Sequence, residues 1–269
     1  MSLTLVADHL SPDRSSAAAR DRGERIVTFN FDEPVDGIDH PVPSVSPLQQ
    51  KNFRALFFRE MDKLDDWAAR EKWLPPFPLP NPQVFVSGQY QFARSLRPQW
   101  KGDKGRMEFP AFRVATGEAN VLHELVHVYF PNANRMLAEG LAVHLQQQIG
   151  ENACYPNFGE DLHHLIRRDL GTEIHKNLED IHLETLAQIT TPSMLMLRIG
   201  RSTIKGVWAY MIAGSFVRFL IETHGMDKFR ALYLKTPLVP LQRDAGAPGR
   251  WDDIYGLSLA ELELQWKSL

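Results

Sequence analysis

Hydrophobic and polar positions along this chain follow a strand-like period in the first half and a helical period in the second. Residues 26–31 alternate as half-buried strands do, and apolar runs at 84–86 and 106–114 predict two further strands. Apolar residues recur at helical spacing between Leu48 and Trp73, which predicts a long amphipathic helix. From Thr116 onward the helical period dominates. The pattern therefore predicts an α+β fold, in which a small mixed lobe precedes a mostly helical lobe.

The predicted elements suggest how the chain is organised. Residues 1–25 are polar and rich in Ala, Ser, Arg and Asp, so we expect a flexible leader. Residues 26–269 are expected to form a single domain, with a mixed α/β lobe over 26–115 and a helical lobe over 116–269. We expect the strand at 106–114 to be an edge strand, along which a peptide can pair through its backbone.

The residues with the clearest chemistry form the sequence His-Glu-Leu-Val-His at 123–127, inside a helix predicted from about Thr116 to Phe130. The i, i+4 spacing places His123 and His127 on one side of that helix, where two imidazole nitrogens can converge on one metal ion. Glu124 follows the first histidine, in a position to accept a proton from a water molecule that the metal activates. The motif predicts a zinc site with Glu124 as general base.

A third ligand is predicted at Glu139. Pro131 to Asn134 is turn-forming, and Asn134 can cap a second helix, which we expect from Arg135 to Gln148. Glu139 falls in the second turn of this helix, so an antiparallel helical hairpin would return its carboxylate to the histidine pair. Gly140 would let the two helices approach closely. Two histidines and one carboxylate leave a coordination position open for water, as in catalytic zinc sites.

These segments resemble the gluzincin metallopeptidases, the thermolysin and aminopeptidase-N-like clan that is also called peptidase MA-like. Its pattern is HExxH followed by W-L-x-E-G-x-A, and the second part is matched, apart from its Trp, by Leu137-Ala138-Glu139-Gly140-Leu141-Ala142. Weaker similarity continues at 210–217 and 251–266, in the order that the clan has. The resemblance implies a zincin-like fold, bound Zn²⁺ and hydrolysis of peptide bonds. It also implies that the Tyr210 phenol stabilises the tetrahedral intermediate.

The chain also departs from that clan. Eleven residues separate His127 from Glu139, fewer than in thermolysin or the aminopeptidases, which predicts a shorter hairpin. Met136 stands where the clan has Trp, and Val143 stands where thermolysin has an Asp that orients a histidine ligand. The residues that orient the two histidines are therefore not identified by the sequence.

Several other residues are weaker candidates. His144 lies five residues beyond Glu139, on a different side of the helix, so we expect it to stay outside the site. If Glu139 is not the third ligand, the alternatives are His144 and Glu160. If Tyr210 is not the stabiliser, the alternatives are Tyr155 and the histidines between 163 and 182. Glu108 lies in a segment faintly similar to the one in which an aminopeptidase glutamate holds the substrate amine, although we expect a solvated glutamate on a strand. The remaining candidates are expected to be structural or solvated: Cys154, His163, His164, His175 and His182.

Composition narrows the range of partners. There are 30 Lys and Arg residues against 33 Asp and Glu residues, and the net charge of −3 disfavours nucleic acid as a partner. The longest apolar stretch, 206–217, is too short for a membrane-spanning helix. With no signal-peptide pattern at the N-terminus and one cysteine, we expect a cytoplasmic protein, with a secreted or periplasmic location left open. Oligomeric state is not indicated.

The sequence thus favours a zinc-dependent peptidase that acts on a peptide or protein substrate. Two alternatives stay open. One is a catalytically idle zincin-like module that serves binding or scaffolding, and the other is a hydrolase of a non-peptide substrate on the same zinc site. A metal and a fold do not by themselves determine the substrate.

Overall fold

The structure is a computed structural model that describes residues 2–6, 26–32, 45–73, 75, 82–96, 105–132, 134–173, 183, 203–236, 247 and 249–269. The chain divides into two compact units. The first consists of Met1–Ala55 and Phe77–Ala119, and the second consists of Leu56–Pro76 and Asn120–Leu269. Within the described part of the chain, no helix has the length and apolar character needed to cross a membrane.

The first unit is built on a five-stranded mixed sheet with the spatial order β1-β2-β3-β5-β4. Its three central strands, β2, β3 and β5, are parallel, and an antiparallel strand lies at each edge. The five strands are β1 (Ser2–Val6), β2 (Ile26–Phe31), β3 (Gln83–Ser87), β4 (Arg94–Leu96) and β5 (Arg106–Pro110).

A helix connects two of the parallel strands of this sheet, as is usual for a crossover between parallel strands. The helix is α1 (Pro47–Arg70), which lies in the chain between β2 and β3 and matches the predicted amphipathic helix. The Phe53 ring lies 6.2 Å from the Phe29 ring and 5.3 Å from the Phe109 ring, centroid to centroid. All three side chains are buried and form the core of the first unit.

Two predictions about the first unit are wrong. The strand predicted over 106–114 ends at Pro110, and Ala111–Thr116 forms the short helix α2, which buries Ala111 and Val114 at helical spacing. This strand, β5, is paired on both sides and so lies inside the sheet, while β1 and β4 are its edges. Proline has no backbone N–H, so Pro110 is a natural end for the ladder.

The predicted flexible leader also differs from what is observed. Residues 2–6 form β1, in which Leu3 pairs with Phe29 and Leu5 pairs with Val27 of β2. The alternation of Leu3 and Leu5 with polar residues is too short to stand out in a segment of polar composition, and pairing with β2 supplies the hydrogen bonds that make it a strand. Residues 7–25 lie outside the described residues.

The second unit is helical. It contains α3 (Val121–Tyr129), α4 (Arg135–Ile149), α5 (Leu162–Glu173), α6 (Thr203–His224), α7 (Met226–Lys235), α8 (Arg250–Tyr255) and α9 (Leu259–Lys267). The most extensive packing in this unit is between α4 and α6, and α3 packs on α4 as the hairpin prediction requires. The division between the units falls near the predicted lobe boundary, but Leu56–Pro76 belongs to the helical unit.

The helix that carries the two histidines begins later than predicted. Thr116 is the last residue of α2, and Gly117, with φ of 76°, adopts a left-handed conformation that ends that helix. The backbone N–H of Gly117 caps the carbonyls of Arg113 and Val114. Because a residue with positive φ cannot continue a right-handed helix, α3 starts anew at Val121.

Candidate metal centre

Both histidines of the motif are held by α3, every residue of which is buried. His123 and His127 lie one turn apart, so their rings stand side by side with centroids 4.8 Å apart. Their Nε2 atoms are 3.2 Å from each other. Helical spacing alone therefore gathers two nitrogen donors at one point.

A short turn reverses the chain after α3. The Asn134 side chain caps α4 by accepting a hydrogen bond from the Leu137 N–H at 3.1 Å, as predicted. Asn132 accepts a hydrogen bond from the Asn134 N–H at 2.8 Å and donates one to the Tyr233 carbonyl of α7 at 2.9 Å. The Tyr233 hydroxyl in turn donates to the Phe130 carbonyl at 2.6 Å. The turn is thus tied down at both ends, which defines where α4 begins.

The hairpin returns Glu139 to the histidines. Its Oε2 atom lies 3.1 Å from Nε2 of His123 and 3.1 Å from Nε2 of His127. The three side chains are buried and, among the described residues, are the one group of three or more His, Cys, Asp or Glu that could hold a metal ion. The three residues predicted as ligands are thus brought together by two helices.

The separations of these atoms are compatible with zinc. Nitrogen lone pairs and a carboxylate oxygen gathered this closely repel one another unless a proton or a cation lies among them. A tetrahedral zinc ion about 2.0–2.1 Å from each ligand keeps those ligands about 3.3 Å apart from each other. The observed separations of 3.1 to 3.2 Å are close to this value. Burial lowers the pKa of His123, which favours the neutral imidazole that a metal needs.

Glu124 lies on the same helix but outside this group of three. It is buried, and its Oε1 accepts a hydrogen bond from the Asn120 side-chain amide at 3.1 Å. Asn120 precedes the first turn of α3, so the helix start itself orients the carboxylate. A carboxylate adjacent to a metal site but not among its ligands is chemically suited to move a proton.

Two tyrosines lie beside the histidines. The ring of Tyr210, on α6, lies 6.4 Å from the His123 ring, and the Tyr155 ring lies 5.8 Å from the Tyr210 ring, centroid to centroid. Burial raises the pKa of Tyr210 to about 12, so its hydroxyl stays protonated and can donate a hydrogen bond. Both tyrosines that the sequence offered as donors are therefore near the site, with Tyr210 in contact with a predicted ligand.

Comparison of the chain with protein-family models, curated proteins and solved structures gives no significant match.

Sequence reasoning missed two residues of α4 that contact the site. The Arg135 guanidinium pairs with Oε1 of Glu139, the carboxylate oxygen that does not face the histidines. The Gln146 side chain accepts a hydrogen bond from the His123 backbone N–H at 3.1 Å and so connects α4 to α3. Arg135 stands four residues before Glu139 and Gln146 seven after it, so helical spacing could have placed both on the face of the ligand.

The other candidates lie elsewhere. His144 is buried on α4 outside the group, and burial, with the nearby Arg218 charge, lowers its pKa to about 4. His163 shares a hydrogen bond of 2.7 Å with the Ser215 hydroxyl, and Cys154 is buried, so both have structural roles. His175 and His182 lie outside the described residues.

Glu108 is not the solvated strand glutamate that we expected. It is buried in the first unit, where its carboxylate accepts a hydrogen bond from Arg106 at 2.7 Å and pairs with Arg94 of the neighbouring strand. Both carboxylate oxygens are thus occupied by arginines. This pairing balances the charge of the carboxylate within the first unit, so the alternative role in anchoring an exopeptidase substrate is not supported either.

Proposed function

We propose that this protein is a zinc-dependent peptidase of the gluzincin type with a zincin-like fold. The observation that carries the proposal is the convergence of two imidazole nitrogens and one carboxylate oxygen within 3.2 Å of one another, in a buried group beside a further glutamate. His123, His127 and Glu139 are the residues that would hold the ion. Three protein ligands are the number that catalytic zinc sites use.

Bound zinc would supply Lewis acidity, which lowers the pKa of water toward about 7 and polarises a carbonyl group. The remaining steps belong to residues of this chain. Glu124 accepts the proton of the attacking water and passes it to the leaving amine, and its hydrogen bond from Asn120 holds one oxygen in place for both transfers. Gln146 keeps the first histidine in position by binding its backbone.

Tyr210 has a separate role in this proposal. Its phenol stays protonated through the pH range of any assay, since its pKa is raised to about 12. A protonated hydroxyl on a partly buried side chain is suited to donate a hydrogen bond to the oxygen that gains negative charge as water attacks the carbonyl. Contact of its ring with His123 supports this location.

Metal content and peptide cleavage, measured together, test the proposal. Protein purified without added metal is analysed for zinc and incubated with a peptide library, whose new N-termini are then identified. We expect one zinc per chain and new N-termini that Glu124→Gln abolishes, because an amide cannot accept the proton. The matched control is Glu222→Gln, at a half-exposed surface pair with Arg218 on α6, and it should cleave as the wild type does.

The outcomes separate the alternatives. Zinc bound without cleavage of any peptide favours the binding module, and cleavage of esters or other acyl compounds alone favours a non-peptide substrate. A protein that stays free of metal after titration with zinc would refute the proposal. Activity of Glu124→Gln at the wild-type level would remove Glu124 as the general base.

A further inference from the structure

Arg135 lies at a position of α4 where an arginine is not expected to stabilise the helix. It is the first residue of α4, at the positive end of the helix dipole, where an acidic residue is favoured. It also precedes its partner Glu139 by four residues, and the order of base before acid is the less favourable one on a helix. On an exposed helix surface, a pair of this kind stabilises the helix only slightly. Its contact with Glu139 is therefore what sets this residue apart.

The two oxygens of the Glu139 carboxylate have different partners. Oε1 pairs with the guanidinium, while Oε2 lies 3.1 Å from both histidine nitrogens. The side chains are 11% and 2% exposed, so water does not compete strongly for either oxygen. A guanidinium stays protonated at any pH the protein tolerates, so the charge of Arg135 beside Oε1 does not depend on pH.

This difference between the two oxygens matters for a metal ligand. A carboxylate can bind a cation through one oxygen or through both, and the choice changes the coordination number. With Oε1 held by Arg135, Glu139 offers only Oε2. A single oxygen keeps the ligand count at three and leaves the remaining tetrahedral position for water.

We propose that Arg135 is a positioning residue, which holds Glu139 in the orientation of a one-oxygen metal ligand. The inference rests on the proposed function, since it requires a metal at the His123, His127 and Glu139 group. It assigns to this chain a partner of the carboxylate ligand, which the sequence left unidentified. Removal of such a partner allows the carboxylate to rotate, and loss of partners of metal ligands typically weakens metal binding 10- to 100-fold.

The test measures metal binding rather than activity. Zinc affinity is determined by competition with a chelator for the wild type, Arg135→Met and Arg135→Lys, and the visible spectrum of each cobalt(II)-substituted protein is recorded. We expect Arg135→Met to bind zinc about 10- to 100-fold more weakly. The visible absorption bands of its bound Co(II) should also lose intensity. The released Oε1 would join the coordination shell, and a higher coordination number lowers the absorption. Arg135→Lys keeps the charge and should recover part of the affinity.

A matched control is available on α6. Arg218 forms an i, i+4 pair with Glu222, and neither residue belongs to the group of three proposed ligands. Arg218→Met therefore removes the same type of side chain from the same type of pair. It should leave zinc affinity and the cobalt spectrum unchanged. Circular dichroism and melting temperature establish that each variant is folded. If Arg135→Met does not fold, Arg135→Lys decides, with an expected weakening that is measurable but at most about 10-fold.

The possible failures are distinguishable. Wild-type protein that binds no zinc would refute the proposed function. Wild-type protein that binds zinc, with a folded Arg135→Met of equal affinity and an identical cobalt spectrum, would overturn the role of Arg135 and leave the proposed function intact. Unchanged affinity and spectrum in Arg135→Lys would overturn it in the same way if Arg135→Met is unfolded.

Discussion

Gly140 on α4 lies directly against the backbone of Ala213 on α6. A Cβ atom at Gly140 would stand 2.5 Å from the Ala213 carbonyl oxygen and would also collide with the Val217 side chain. The sequence suggested that this glycine serves the approach of α3 to α4, whereas its observed neighbour is α6. The same approach brings Tyr210, three residues before Ala213, to the helix that carries Glu139.

Substitution of Gly140 by alanine should destabilise the protein. The clash involves backbone, which cannot move aside as a flexible side chain can, and overpacking of this kind typically costs about 1–3 kcal/mol. Chemical denaturation measures the change in the free energy of unfolding. Gly249→Ala is the control, since nothing lies within 4 Å of a Cβ atom there, and it should change stability by less than about 0.5 kcal/mol. Equal stability of both variants would contradict the packing described here.

Loss of Glu139 should weaken zinc binding strongly. Two histidines alone form a poor site, so Glu139→Gln, which keeps the shape but not the charge, should bind zinc at least about 10-fold more weakly. Isothermal titration or chelator competition provides the affinity. Glu160→Ala is the control, because this half-exposed residue pairs with Arg168 and is not in the metal group. Full affinity in Glu139→Gln, with a loss in Glu160→Ala, would mean that the third ligand is Glu160.

Removal of the Tyr210 hydroxyl should slow the reaction without loosening the fold. A preorganised donor to the developing oxyanion is typically worth 10²–10³ in kcat, so Tyr210→Phe should lose about that factor. Zinc content and melting temperature should stay close to the wild-type values. Tyr155→Phe is measured in parallel, since its ring contacts Tyr210. A normal kcat in Tyr210→Phe, with a large loss in Tyr155→Phe, would transfer the role to Tyr155.

Acid should destabilise the protein through His144. Burial lowers its pKa to about 4, while the unfolded chain takes up the proton near pH 6.5. The contribution of neutral His144 to the free energy of unfolding is therefore fully present above about pH 6.5. It is lost as the pH drops toward 4, by about 1.4 kcal/mol per pH unit and about 3 kcal/mol in all.

The variant His144→Gln isolates this contribution. Its stability should fall less steeply than that of the wild type between pH 6.5 and 4, because glutamine does not titrate. Urea denaturation of both proteins at several pH values, in the presence of a chelator, gives the two curves. His123 and His163 also have lowered pKa values and contribute to both curves. The difference between the curves reports on His144, including its electrostatic interaction with His163. Parallel curves would show that His144 does not carry this effect.

The features that sequence alone determined are local. The spacing of His123 and His127, the cap at Asn134 and the position of Glu139 in the second turn of α4 all follow from helical geometry over fewer than 20 residues. Such features depend on backbone hydrogen bonds and on neighbours three or four residues away, which the order of residues specifies directly. The hairpin and its three candidate ligands were predictable for this reason.

Strand order and burial of charge were not predictable in the same way. Whether β5 lies inside the sheet depends on the pairing of β4 with it, and β1 exists because Leu3 and Leu5 meet β2 more than 20 residues later. Glutamate is usually a surface residue. Its pairing with Arg94 and Arg106 offsets the free-energy cost of burying the Glu108 charge. Hydrophobic periodicity carries no information on which strand or arginine is the partner.

The tertiary structure also decided what surrounds the three candidate ligands. The contact of Tyr210 with His123 exists because α6 packs against α4 at Gly140, and that approach joins segments far apart in the chain. Resemblance suggested Tyr210, but its distance from the site was set by packing. A helix forms largely from local interactions. Which helix it packs against depends on the shape complementarity of two helix surfaces, to which many residues each contribute a small favourable contact energy.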